Sequence, residues 1–491
     1  MLPDEFSDKE LIKALNDLRQ SPLVARSLGE KGRQLIGTTH APGDCARQYA
    51  QAIESFASSA ERTRTGLIRS IGKDSSLSES SLIEAAQSIA RALPMPAAKH
   101  QLFVDVSELV QGDSQSGIQR LVRSLLRSIF DNPPAGFRVE PVYALKGERG
   151  YNYARKFSLR FLGCPLQGLD DAPIDARDGD VFIGLDLQPH IVCEQADFYR
   201  TLRQTGVRVE FVVYDLLPVL LGHRFFQAAK ALHERWLKVV AESNGILAIS
   251  NSVADEFTTW VSANAPERLA AGLKIRAFHP GADISYSSQT SGLPPAAEQT
   301  LSLIASAPSF LMVGTIEPRK GYAQTLDAFE QLWRNGVNAN LVIVGRVGWM
   351  VEEVVDQLRH HRQQGKRLFW LEGVSDEYLE RLYGACVCLL LASEGEGFGL
   401  PLIEAAIHKL PVVTRNLPVF REVAADHAFY FDGMKGEDMA AAITQWLALF
   451  EKGQHPRSET MPYLTWQQSA EQFKAALFSQ PGPQIASLRP A

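Results

Sequence analysis

Apolar positions recur at helical spacing in the N-terminal stretch, then give way to short apolar runs separated by amphipathic segments. Leu11, Leu15 and Leu18 follow Ser7 and Glu10, a capping-box signature in which side chain and backbone satisfy each other at a helix start. A second helix is predicted from Ser21-Pro22, and a third carries Tyr49, Ile53 and Phe56. After the polar run Ser75–Ser81 one more helix is expected, and LPMPAAKH (Leu93–His100) reads as a linker. From Gln101 strands and helices alternate. Strands are predicted at Leu102–Val106, Arg138–Ala144, Val181–Leu185, Val207–Val213 and Ile246–Ile249. One helix carries Ile118, Val122, Leu125 and Ile129, and a longer one lies near His223–Ala241.

The Ser-, Pro- and Gly-rich segment Ile284–Glu298 marks a domain boundary, and a second alternating series follows. Its strands are expected at Phe310–Val313, Leu341–Val344, Leu368–Leu371, Val387–Leu391, Val412–Thr414 and Phe429–Phe431. Strands separated by helices of about 10–15 residues imply right-handed βαβ units and parallel sheets. The fold class is therefore α/β. Two doubly wound Rossmann-like domains, residues 101–290 and 300–479, face a cleft, preceded by a helical appendage over 1–100 and followed by a disordered tail over 480–491. Ligands of such sheets bind at the carboxyl ends of the strands, which makes the cleft the expected site. A faint repeat is also present. ARQYAQAIES (Ala46–Ser55) aligns without gaps on AEQFKAALFS (Ala470–Ser479). It reads either as coincidence between amphipathic helices or as a sign that the appendage is the tail of a preceding domain of the same kind.

Composition narrows the classes. The 491 residues suggest three units at about 150 residues each, with 45% hydrophobic and 22% charged residues, ordinary globular values. Fifty Lys and Arg against 56 Asp and Glu leave a net charge of −6, which argues against a nucleic-acid partner. No apolar run reaches the ~20 residues of a membrane helix, and the acidic start MLPDEFSDKE is not a signal peptide. The five cysteines are odd in number and scattered, which fits a reducing cytoplasm. Cys386 and Cys388 alternate in an apolar run and read as core thiols on one strand face, since no second pair completes a zinc set.

Two segments carry candidate chemistry. In SEGEGFGLPLIEAA (Ser393–Ala406), Gly395, Gly397 and Gly399 lie between an apolar strand and a helix with Pro401 in its first turn. Glycines allow close backbone approach, and the free N–H groups of a helix start attract a phosphate or sugar oxygen. Glu396 and Glu404 flank this loop with the spacing E-x7-E. In MVGTIEPRKGYAQTL (Met312–Leu326), a strand ends at Gly314 and a loop presents Arg319 and Lys320. Arg can fork two oxygens of a diphosphate while Lys acts as a point charge.

Together these residues resemble the retaining glycosyltransferases of the GT-B fold, family 4. The resemblance spans roughly Gln101 to Ser479 and is most specific from Phe310 to Val423. It implies that Glu404 binds the nucleotide ribose, Glu396 the hydroxyls of the transferred sugar, and Arg319 and Lys320 the diphosphate. Gly397, Phe398 and Gly399 offer backbone to the sugar and diphosphate, and Gly373-Val374 meets the base. Thr315 stands where many members have arginine. VGRVGWM (Val344–Met350) and RNLPVFREV (Arg415–Val423) also look like family segments. In the N-terminal domain Gly117 resembles the glycine that lets the first loop approach donor and acceptor. VVYDLLP (Val212–Pro218) resembles a segment that often reads His-Asp, with Tyr214 replacing the histidine and Asp215 retained in the cleft. His223 and His279 are nearby alternatives to that histidine, and Asp283 matches a hinge position. Asp178-Gly179-Asp180 is a D-x-D, a metal–diphosphate pattern in another transferase fold, but D-G before a strand is also a common turn; no metal site is assigned.

The resemblance implies transfer of a hexose, with retained configuration, by front-face attack. Asp215, Arg319, Lys320 and Glu396 are the candidate catalytic residues, and no cofactor is required. The wording of both segments resembles bacterial O-antigen mannosyl- and rhamnosyltransferases, so a GDP-mannose-like donor is the first expectation, with UDP- and dTDP-sugars as alternatives, and a glycan or lipid-linked oligosaccharide acceptor is expected. Expected partners are a neighbouring transferase domain or polysaccharide assembly enzymes. The expected location is cytoplasmic, peripheral at the inner face of the cytoplasmic membrane. Competing readings are a catalytically silent module that binds glycan or scaffolds an enzyme, and a phosphorylase or epimerase of the same fold.

Overall fold

The structure is a computed structural model describing residues 6–55, 99–112, 117–164, 166, 170–282 and 290–478, with a few positions between 71 and 89. The chain divides into two compact units, Met1–Ala98 and Lys99–Ala491. In the first, helices span Asp8–Gln20 and Pro22–Thr39, and residues 42–55 are also helical. The capping box forms as expected: Ser7 N donates to Glu10 Oε2 at 2.8 Å, and Ser7 Oγ accepts from Glu10 N. Neither of the first two helices buries a residue. Phe56, most of the expected linker, Asp283 and the tail from Ser479 lie outside the described residues.

The second unit holds two parallel sheets. In the N-terminal sheet the strands are β1 (His100–Asp105), β2 (Phe137–Tyr143), β3 (Asn152–Tyr153), β4 (Val181–Gly184), β5 (Arg208–Val213), β6 (Gly245–Ala248) and β7 (Lys274–Ala277), ordered 3-2-1-4-5-6-7. Only β3 runs antiparallel to its neighbour. In the C-terminal sheet β8 (Ser309–Val313), β9 (Asn340–Val344), β10 (Leu368–Leu371), β11 (Cys388–Leu391), β12 (Val412–Arg415) and β13 (Phe429–Phe431) are ordered 10-9-8-11-12-13. Each sheet thus reverses its winding once, between β1 and β4 and between β8 and β11. Loops leaving adjacent strands in opposite directions open a crevice there, which is where doubly wound sheets hold ligands. The two-domain α/β architecture is the one expected, with helices between the strands. The N-terminal edge strands β3 and β7 were not expected. One has two residues, and the other, KIRA, alternates charge with apolar groups on a half-buried edge.

Central strands are buried from end to end, as sheets covered on both faces require. One apolar cluster fills each domain, and a third joins them, with Tyr214, Ile249 and Phe278 meeting Phe398, Leu402 and Phe420. The helix Trp466–Phe478, in the segment expected to complete the C-terminal domain, crosses back to the N-terminal sheet. Its buried Phe473 packs on Phe278 at 5.3 Å and its Phe478 on Phe137 at 4.7 Å between ring centroids, which explains the crossing. Cys386 and Cys388 are buried free thiols, but not on one strand face: Cys386 closes the Asp376–Ala385 helix and Cys388 opens β11. Among the described residues no helix is long and apolar enough to cross a membrane.

Candidate functional site

The winding reversal between β8 and β11 assembles the first half of the site. After β8 the chain turns through a short 3-10 helix, Pro318–Lys320, into the helix Tyr322–Arg334. After β11 it runs through Ser393–Gly399 into the helix Leu400–Ile407, with Pro401 in the first turn. Gly399 has φ +100°, a left-handed value that a side chain would strain, and a Cβ there would strike the Phe420 ring. Because β8 and β11 are neighbours, the two loops meet: Glu394 N donates to Arg319 O at 2.7 Å.

Three sequence-predicted residues converge on that contact. Lys320 Nζ donates to Glu396 Oε1, Arg319 Nη1 lies 3.4 Å from Glu396 Oε2, and Ser393 Oγ donates to Glu396 Oε1 at 2.7 Å. Glu317 adds a second carboxylate, 3.0 Å from Arg319 Nη2. Burial alone raises the Glu396 pKa; the charges of Lys320 and Arg319, with hydrogen bonds from Lys320 and Ser393, outweigh it and bring it to about 2. Glu317 moves the other way, because its burial outweighs the same two cations. The cluster therefore keeps Glu396 ionised as a hydrogen-bond acceptor and presents two fixed cations at a helix-rich crevice.

Glu404 stands apart from this cluster. One of its oxygens is paired with Arg120, on the helix Gly117–Asp131 of the opposite domain, and the other accepts from Tyr383 Oη at 3.1 Å. Gly117 begins that helix, and a Cβ there would lie 4.0 Å from Leu400. The glycine loop itself presses on the N-terminal domain. Gly397 O accepts from Ser250 Oγ at 2.8 Å, and a Cβ on Gly397 would sit 2.0 Å from the Tyr214 carbonyl oxygen. Gly397 is thus required by close approach between the domains.

Asp215 follows β5 and accepts from Leu217 N at 3.0 Å. Burial lowers the pKa of Arg319, and the charges of Glu396, then Glu317 and Asp215, outweigh it and raise it. Burial, then the Asp215 charge, pushes Glu256 to about 7. Tyr214, at the histidine position of the resemblance, is buried and donates to Leu185 O at 2.6 Å. Thr315 is half-buried in the loop after β8, and Gly373 and Val374 follow β10, two strands from β8. Phe398 is buried, its ring 5.3 Å from that of His279. His223 is exposed at 4.0 Å from Glu394. In the D-x-D, Asp180 is buried before β4, at the opposite end of the sheet from the cleft. There it accepts from Gln101 N at 2.7 Å and Arg177 N at 2.9 Å, so it closes a turn.

Several partners were not visible in sequence. Arg120 lies three residues beyond Gly117, but nothing local ties it to Glu404. Glu422, inside RNLPVFREV, reaches across the cleft to the start of the helix Asn251–Asn264. It accepts from Asn251 N at 2.7 Å and Ser252 N at 2.8 Å, and lies 2.7 Å from His279 Nε2. Burial raises its pKa, but these bonds, led by the one with His279, bring it to about 2. Arg415, buried at the end of β12, donates to Ser393 O at 3.0 Å and so supports the loop that carries Glu396.

Residues 299–459 match the family described as glycosyl transferases group 1. In a fold comparison, Anabaena HepE in complex with UDP-glucose superimposes with a TM-score of 0.49 at 15% identity, over 76% of this chain and 94% of that one. O-antigen chain mannosyltransferase B of Escherichia coli is 33% identical over 138 residues, 28% of this chain and 36% of that protein. Serotype-specific mannosyltransferase WbdA of Escherichia coli is 42% identical over 431 residues, 87% of this chain and 50% of WbdA. The chain spans about half the length of the WbdA relatives it matches. With the cation–carboxylate cluster inside the matched span, the chain carries a domain of the glycosyl transferases group 1 family and is a homologue of O-antigen mannosyltransferases.

Proposed function

We propose that this chain is a retaining hexosyltransferase that moves mannose from a GDP-mannose-like donor onto a growing bacterial surface polysaccharide or lipid-linked glycan. The observation that carries this reading is the Lys320–Glu396–Arg319 cluster at the β8/β11 winding reversal, within reach of the Asp215 charge from the other domain. Lys320 and Arg319 neutralise the diphosphate, and the start of the Leu400–Ile407 helix adds its dipole. Glu396 and the glycine-loop backbone take the sugar hydroxyls, and Glu404 takes the ribose once Arg120 releases it. Gly373 and Val374 meet the base, while Thr315 leaves the diphosphate to the two cations. Gly117 and Asp215 face the acceptor. The leaving diphosphate accepts the acceptor's proton, so attack and departure share one face and configuration is retained. Stabilising the developing charge is the protein's main contribution. Residues 101–290 serve the acceptor and 300–479 the donor, without a metal. The enzyme works in the cytoplasm, at the inner membrane face where its acceptor is displayed.

The test is a thermal-shift screen of GDP-mannose, other GDP-hexoses, UDP-sugars and dTDP-sugars, followed by transfer to mannose oligosaccharides. Stabilisation by GDP-mannose and an α-linked product from it are expected. Stabilisation by a UDP-sugar alone overturns the donor assignment, and an inverted product overturns the mechanism.

A second observation concerns the appendage. Tyr49 and Ile53 align with Phe473 and Leu477 in the internal repeat, yet the first pair is exposed and the second buried against the N-terminal sheet. We propose that the helix over 42–55 docks on a preceding domain of the same kind. Adding residues 101–290 in trans should protect this helix from hydrogen exchange, and unchanged exchange overturns the idea.

A further inference from the structure

We propose that the exposed rim where the two domains meet beside the donor loops is a stacking platform for the acceptor glycan, built from Phe225, Phe226, Trp349 and Met350. This rests on the transferase reading above. Phe225 comes from the N-terminal domain and Trp349 from the loop after β9, and their ring centroids lie 5.8 Å apart. Their neighbours in the chain, Phe226 and Met350, are exposed at 57% and 42%, and Val347, two residues before Trp349, is also exposed. A half-buried aromatic pair that joins two domains, flanked in the chain by exposed apolar side chains, offers a surface for a ligand.

The rim is fixed to the donor site by direct contacts. Trp349 Nε1 donates to Arg224 O at 3.3 Å, and the Arg224 guanidinium holds Glu394 at 2.6 and 2.9 Å. Glu394 N in turn donates to the carbonyl of Arg319. The Trp349 loop is also clamped to the loop bearing the two cations, through Ile316 N to Arg346 O at 2.9 Å and Gly348 N to Ile316 O at 3.0 Å. Met350 is held at φ +52°, a left-handed value rare for a side chain of its size and maintained only where surroundings impose it.

The chemistry favours a sugar chain as occupant. A pyranose offers a flat C–H face and a rim of hydroxyls; flat rings match the face, and the exposed His223 and Arg346, two and three residues from Phe225 and Trp349 in the chain, suit the hydroxyls. The interruption by these polar groups suits a narrow chain better than a protein partner, whose interface needs about 800 Å² per side. Continuity with Glu394 places the bound units next to the one that receives the new sugar. Since the platform takes residues from both domains, it is complete only when they are closed on each other.

The experiment compares Phe226→Ala with the wild type, using a short and a long mannose oligosaccharide as acceptors. KM for the long acceptor should rise about tenfold, the loss of roughly one stacking contact. The KM for the short acceptor, kcat and the thermal shift given by donor should stay unchanged. Calorimetric titration of the long oligosaccharide without donor separates this proposal from the transferase reading: binding weakened by Phe226→Ala supports the platform even where no transfer is seen. Equal KM values at both lengths, no binding by the wild type, or loss of sedimentation with phosphatidylglycerol vesicles as the sole effect of Phe226→Ala overturns it.

Discussion

The two winding reversals of this molecule share a topology and carry opposite electrostatics. At β8/β11, carboxylates face cations and backbone donors, and Glu396 sits near 2. At β1/β4, among the described residues, no cation acts on the buried Asp105 and Asp186. Asp105 accepts from Ser107 N at 3.0 Å and from Tyr151 Oη at 2.9 Å, while Asp186 accepts from Leu109 N at 2.8 Å and Leu187 N at 3.0 Å. Burial drives Asp105 up to about 6 despite these bonds, and burial together with the Asp105 charge drives Asp186 to about 7. Topology decides where a crevice opens; the side chains decide what it attracts. A crevice that holds two cations offers charge to a diphosphate, and a hydroxyl- and carboxyl-rich one offers acceptors to hydroxyl donors.

The contrast breaks most visibly if the cation side is removed. Lys320→Ala should lower turnover by about 10²-fold or more, the scale of losing one electrostatic stabiliser. Initial rates near wild type in that variant would remove the distinction between the crevices. Next in size is the latch that holds the two crevices together. Glu422→Gln loses a charged acceptor of two helix-start N–H groups and His279, so stability should fall by about 2 kcal/mol. Denaturant midpoints measure this, and small-angle scattering should show a wider particle.

The pH dependences should have opposite signs. Glu396 and Glu422 are lowered in the folded state, so their contribution is present above pH ~4.5 and disappears as pH falls towards 2. Asp105 and Asp186 are raised, so theirs is present below pH ~4 and is lost as pH rises through 6 to 7. Asp186→Asn should therefore flatten the upper part of the curve and gain stability at pH 7 relative to pH 4. An unchanged slope in urea titrations would sink the account of β1/β4. The smallest effect belongs to the D-x-D. Asp178→Asn should leave transfer within about twofold, with or without chelator, since removing a solvated turn charge touches no stabiliser of the reaction; chelator-sensitive transfer would argue for a metal.

Much of the fold was legible because doubly wound domains write themselves as apolar strands between amphipathic helices. The placement of Arg319 and Lys320 after β8 and of the glycine loop after β11 was legible too, since each lies in a short strand–turn–helix segment. What escaped has a common character. Arg120 meets Glu404, Glu422 meets Asn251 and His279, and Arg224 meets Glu394, all across long sequence separations. None has a local signature, because an ion pair between domains needs only the right charge at the right place. The crossing of Trp466–Phe478 was hidden for the same reason: an amphipathic helix shows which face it buries but not against which sheet.

The amino-acid order by itself determined the strand–helix alternation, the glycine loop between strand and helix, and the presence of two cations and Glu396 in the loops after two strands, with Glu404 in the helix that follows. Local sterics, periodicity and helix-start chemistry act over a few residues, so they are written in adjacent ones. Tertiary structure alone decided which strands became neighbours, and hence that the β8 and β11 loops meet and that Glu396 is pinned between Lys320, Arg319 and Ser393. It also decided that the two aspartates of β1/β4 lose their solvent and Glu422 spans the cleft. Burial and long-range electrostatics depend on three-dimensional distance, which strand order sets and linear spacing does not.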